Sequence, residues 1–134
     1  MPKAYSLDGG RITSLEAFYE EISRSLIPGA SWGRNLDAFN DILRGGFGTP
    51  VEGFTIRWVN SETSRLRLGY AETARQLEIR LERCHPQNRA AVACELKEAQ
   101  SGRGPTVFDW LVEIIRQNGP GGEEAESNVK LLLL

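Results

Sequence analysis

One histidine and two cysteines are all that this chain of 134 residues offers of the side chains most used for metal binding and nucleophilic chemistry. Structural zinc takes four ligands in short paired spacings, which Cys84, His85 and Cys94 do not supply, so no metal site is expected. A Cys–His nucleophile needs both side chains within hydrogen-bond reach, a geometry that adjacent residues at a helix end rarely present. The three therefore read as small buried cysteines and a surface histidine ahead of Pro86. With no serine-centred motif either, the chain reads as a non-enzyme without a cofactor. A basic surplus is also missing: 16 Lys+Arg against 18 Asp+Glu leave a formal net charge of -2, which gives no support to general nucleic-acid binding. No run is long and apolar enough to span a bilayer, and the start MPKAYSLDGG lacks the apolar stretch of a secretory signal. Two cysteines make no disulfide framework. These absences together point to a soluble protein of the cytoplasm.

What is present is ordinary for a globular protein: 40% hydrophobic and 25% charged residues, in a length that suits one domain, 1–134, able to bury a core without staples. Ala4 to Leu7 reads as a short strand ended by the turn signal Asp8-Gly9-Gly10. Thr13 or Ser14 can cap a helix whose apolar face is Leu15, Phe18, Ile22 and Leu26. A Pro28–Gly29 loop leads to a second helix from Asn35, closed by Gly45, Gly46 and Gly48. FTIRWV, Phe54 to Val59, is a strand of β-branched and aromatic residues, followed by a polar run from Asn60 to Arg67. Tyr70 to Arg83 and Arg89 to Gln100 are helical patterns broken by Pro86, a helical hairpin with Leu77, Leu81, Val92, Leu96 and Ala99 inside. Thr106 to Gln117 carries the apolar set Val107, Trp110, Leu111, Ile114 and Ile115. After the polar linker GPGGEEAES, the ending NVKLLLL reads as a terminal strand covered on both faces. Strands separated by helical crossovers predict an α/β fold, a small parallel sheet packed with helices.

The segment SWGRNLDAFNDIL, from Ser31 to Leu43, holds the main anomaly. Asn35 is a good N-cap, and Leu36, Phe39, Ile42 and Leu43 form one apolar stripe. A second stripe holds Asp37, Asn40, Asp41 and Arg44. Like charges four residues apart cost a few tenths of a kcal/mol, roughly, in an isolated helix. Asp37 sits in the first turn, where the helix dipole favours an anion, but Asp41 lies beyond it. The pair looks like a small stability cost kept for a purpose.

These residues, with the strand and helix order around them, resemble the barstar family of intracellular inhibitors of a secreted bacterial ribonuclease. Trp32-Gly33, the run Asn35-Leu36-Asp37-Ala38, Asp41 and Leu43 stand at the family's spacing of aromatic–Gly–x–Asn–Leu–Asp–Ala–x–x–x–Asp. The opening YSLDGGRITSLEAFYEEI and the ending NVKLLLL are similar to its first strand and helix and its last strand. Residues 69–104 stand apart as an inserted helical hairpin. The resemblance implies a three-stranded parallel sheet and a protein partner, a ribonuclease or nuclease toxin whose basic active site is blocked by an acidic helix and its preceding loop. It implies Asp41 as the anchor, Asp37 as its support, Trp32, Gly33, Asn35 and Asn40 as neighbours on that face, and Glu113 as a third acid. Two positions depart from the family: Ser31 stands where a second loop aromatic is usual, and Asn40 where a tryptophan is usual. Phe47 is offered in place of another interface aromatic. Those departures leave a second reading open, a module of the same fold that binds a different basic protein without inhibiting a ribonuclease.

Overall fold

Bulky apolar residues alternate with polar or smaller ones through FTIRWV, the pattern of a strand with one buried face. In the computed structural model, which describes residues 3–134, that run is the centre of a three-stranded sheet. Its strands are β1 (Lys3–Asp8), β2 (Phe54–Val59) and β3 (Val129–Leu133), in the order β1-β2-β3 and parallel at both pairings. Register sets Tyr5 beside Ile56 and Leu131, and Leu7 beside Trp58 and Leu133. Helices cover that side. The other side, with Arg57, Val59 and Lys130, is open to solvent.

The expectation that the final leucines are covered on both faces is therefore corrected. Leu131 and Leu133 pack against the core, whereas Leu132 is 47% and Leu134 52% exposed. Strand residues alternate faces, and this small parallel sheet has a covering layer on one face alone. The strand itself and its parallel pairing fit the sequence reading, and the strand lies at a sheet edge.

Six α-helices are found among the described residues: α1 (Leu15–Ser25), α2 (Leu36–Leu43), α3 (Ser61–Arg67), α4 (Tyr70–Arg83), α5 (Arg89–Gln100) and α6 (Val107–Gln117). Of the two cap candidates for α1, Ser14 serves, its Oγ accepting from Ala17 N at 3.1 Å. A capping box of Thr106 and Asp109 starts α6. The unforeseen element is α3, where the sequence shows only a polar run. Its one large apolar residue, Leu66, is 75% exposed, so no apolar stripe announces it. Its inward contact is instead polar: buried Ser64 accepts from Trp58 Nε1 at 2.9 Å and donates to the Gly9 carbonyl at 3.1 Å. Gly9 is required there, because a Cβ would meet the Asn60 carbonyl oxygen at 2.3 Å.

Phe18 lies 5.1 Å from Phe39 and 5.5 Å from Trp58, which in turn lies 5.1 Å from Phe108 at a tilt, so an aromatic chain links α1, α2, β2 and α6. The α4–α5 hairpin has its own small cluster of Leu77, Val92 and Ala99, and Trp110 of α6 touches both clusters. Polar bonds knit α4 to the rest: Glu72 accepts from Leu15 N and Thr73 Oγ1 from Val107 N, both at 2.8 Å. Each caps the start of another helix, satisfying a backbone donor that the helix leaves free. Cys84 is half-buried, but Cys94 is exposed on α5, contrary to the expectation that both are buried. His85 is at the surface, its Nδ1 accepting from Gln87 N at 3.1 Å. No helix among the described residues is long and apolar enough to cross a membrane.

Candidate partner-binding site

The loop into α2 is held from within. Trp32 packs against the core, its ring edge-on to Tyr19 at 5.5 Å, and its Nε1 donates to Ser23 Oγ at 2.7 Å. The tryptophan is thus a loop anchor, with most of its bonding capacity already used. Gly33 is exposed and its carbonyl accepts from Asn35 Nδ2 at 3.3 Å. Arg34 takes a left-handed backbone conformation (φ 47) and pairs with Glu20. Asn35 then caps α2, its Oδ1 accepting from Ala38 N at 2.8 Å.

The far end of α2 is a Schellman motif. Gly45 N–H donates to the Ile42 carbonyl and Gly46 N–H to the Asp41 carbonyl, both at 3.0 Å, with Gly45 at φ 94. A side chain at Gly45 would also meet Val51 Cγ1 at 2.7 Å. Phe39, Ile42 and Leu43 are fully buried, which fixes the helix's rotation and turns Asp37 and Asp41 outward.

Asp41 therefore sits in the last turn of a helix with no basic residue in that turn, where the dipole disfavours a carboxylate. Its side chain is 58% exposed, and its ion pair is Arg44 Nη1 at 3.7 Å. Arg44 is committed elsewhere: its Nε donates to Glu124 Oε2 at 2.6 Å and its Nη2 to Glu124 Oε1, a two-pronged pair. Those bonds hold Glu124's carboxyl below the usual carboxylate range, against a push upward from partial burial. Asp37 is exposed and has no ion pair among the described residues.

Asn40, half-buried on the same stripe, is bonded to another element. Its Oδ1 accepts from Nδ2 of fully buried Asn118 at 2.7 Å, tying α2 to the end of α6. Glu113 is exposed on α6 and accepts from Gln117 Nε2 at 2.6 Å; no bond joins it to Asp37 or Asp41. The structure thus gathers Asp37, Asp41 and the anchored loop along α2, and leaves Glu113 bonded within its own helix. Sequence reasoning missed Glu124 and Asn118. The first lies in a linker without periodicity. The second stands just past a helix end, where asparagine is common and says nothing about a bond to α2. No group of His, Cys, Asp or Glu able to hold a metal ion occurs among the described residues.

A one-sided parallel sheet, an outward acidic helix and a pinned loop before it define a small α/β protein with an acidic helical surface. The chain belongs to the Barstar family, described as barstar (barnase inhibitor), which matches residues 3–131. Family membership brings with it binding to a ribonuclease as the family's activity. No curated protein matches the chain.

Proposed function

We propose that this protein is an intracellular immunity protein that inhibits a bacterial ribonuclease by covering its basic active site with α2 and the loop before it. One observation carries the reading. Asp41 is exposed at a helix end that disfavours it, on a helix whose rotation is fixed by three fully buried residues. A carboxylate held in that way, with only the 3.7 Å contact to an Arg44 already bonded to Glu124, is pre-organised for a closer cation from a partner. In this reading Asp41 takes the central position among the nuclease's arginines and lysines, in place of an RNA phosphate, and Asp37 adds to the field one turn earlier. Trp32, Gly33 and Asn35 hold the loop in shape. Asn40 serves through Asn118, and Glu113 is a peripheral charge. The chain acts as one barstar-like domain in the cytoplasm, without catalysis, and residues 69–104 are a hairpin inserted into it.

A second reading is favoured by Ser31 and by the inward turn of Asn40, which leave this face without two aromatics usual in the family. Aromatic anchors supply much of an interface's energy. On that reading α2 binds a different basic protein and no ribonuclease. Titration into barnase with an RNA-cleavage readout separates the two: stoichiometric loss of cleavage supports inhibition. Full cleavage at excess inhibitor, across barnase and other guanyl-specific bacterial ribonucleases, refutes it.

A further inference from the structure

Beside the start of α2 lies a groove of about 750 Å³ between α1, α2 and the hairpin helix α4. Its apolar lining includes Leu15, Tyr19, Leu36 and Ile79. Most of its charges are already spent on each other: Glu16 pairs with Arg75, and Glu20 with Arg34. Arg80 lies over the Trp110 ring, 5.1 Å from its centroid, and 4.0 Å from Glu95. Two lining charges of opposite sign have no ion pair among the described residues: Asp37 from α2 and Arg83 from α4.

The groove is continuous with the acidic face through Asp37, which lines the groove and shares that face with Asp41. A partner seated on Asp41 and Asp37 therefore lies beside Ile79 and Arg83. Its cationic cleft answers the aspartates, but a cation cannot answer Arg83; like charges across an interface are strongly disfavoured. We infer that the groove takes a segment of the same ribonuclease flanking its active-site cleft, one that places an acidic side chain at Arg83 and an apolar one on the Leu36–Ile79 lining. The hairpin is then a specificity element. It admits nucleases whose cleft is bordered by an acid and disfavours those bordered by more positive charge. The lining suits a protein segment better than a small polar ligand, since its free charges are exposed at the surface and not gathered in a buried polar pocket.

This inference rests on the ribonuclease reading, and the experiment keeps the two apart. The full chain, an Arg83→Glu variant and an Asp41→Ala variant are titrated into barnase by calorimetry, with urea unfolding of each variant alone. Arg83 is exposed in the last turn of α4, where the dipole favours a cation, so its reversal lowers the urea midpoint modestly and leaves the variant folded at the titration conditions. The expected result is a loss of affinity of about tenfold or more for Arg83→Glu, about 1.4 kcal/mol. Slowed amide exchange at residues 79–83 in the wild-type complex accompanies it. If Asp41→Ala weakens the complex while Arg83→Glu binds within about twofold of wild type and residues 79–83 exchange freely, the groove proposal is overturned and the α2 reading stands. If the wild-type chain forms no complex with barnase or with any other guanyl-specific bacterial ribonuclease, both fall together.

Discussion

Removing only the charge of Asp41, with Asp41→Asn, separates what that residue does for the fold from what it does for a partner. In the free protein two small terms oppose. A carboxylate in the last helical turn costs about 0.3–1 kcal/mol, and its loss recovers that. The contact with Arg44 is 3.7 Å long between side chains 47% and 58% exposed, so its loss costs only about 0–1 kcal/mol. Arg44 also keeps its two bonds to Glu124. The net change in unfolding free energy lies between about 1 kcal/mol of stabilisation and about 0.7 kcal/mol of destabilisation, centred slightly on the stabilising side. On the ribonuclease reading, the same change in the complex leaves a nuclease cation buried without its partner, at about 2–5 kcal/mol. That is roughly thirty-fold to several-thousand-fold in Kd. Such a range was established in part on complexes of this family, so only its direction is specific to this chain. Urea unfolding and calorimetric titration into barnase measure the two sides. A variant that unfolds more easily by over about 1 kcal/mol yet binds as tightly as wild type refutes the reasoning, because Asp41 is then structural.

Arg44→Ala takes away Asp41's nearest cation and is expected to speed association with barnase up to about fivefold at low salt, an effect that stopped-flow mixing in added salt should erase. Ser64→Ala leaves the fully buried Trp58 indole N–H without its acceptor and is expected to cost about 1–3 kcal/mol by chemical denaturation; a change under about 0.5 kcal/mol shows that another acceptor replaces it. Glu72 is 8% exposed, and although burial pushes its carboxyl up, bonds from Arg75, Leu15 N and Gln76 bring it below its ordinary value of 4.5. Glu21 is lowered likewise, by Arg24, Asp8 N and Arg11 against its burial. A folded-state value below the unfolded one contributes stability that is present above the unfolded value and lost as pH falls through the folded one. The stability gap between wild type and Glu72→Gln should therefore hold at neutral pH and shrink as pH drops below about 4.5, the carboxylate's ordinary value. A gap that stays constant down to acid unfolding removes the charge from the explanation.

How much of this was legible in the chain depended on whether the signal was local. Strand β2 and helices α4 and α5 appear at the bounds read from the sequence, since alternation, apolar spacing, Pro86 and the glycines act within a few residues. Asn35 as the cap of α2 and the outward stripe of Asp37 and Asp41 were equally plain, because an eight-residue helix with three buried apolar positions can turn only one way. Helix α3 escaped because its inward contact is a serine, and hydrophobic periodicity does not register a buried hydroxyl.

The chain by itself determined the strands, the helices other than α3, their order, their parallel pairing and the presence of two outward aspartates on α2, all of which follow from covalent spacing and solvent preference along a few turns. Tertiary structure decided the rest. Glu72 reaches Leu15 from 57 residues away, Asn118 ties Asn40 from 78, and Glu124 claims Arg44 from 80, leaving Asp41 with a weak partner. Only the packing of helices on a single sheet face leaves Leu132 and Leu134 in water, and only the seat of α4 beside α2 opens the groove that joins Asp37 to Arg83. Such pairings depend on which surfaces meet in space, and polar residues distant in sequence carry no periodic trace of their partners.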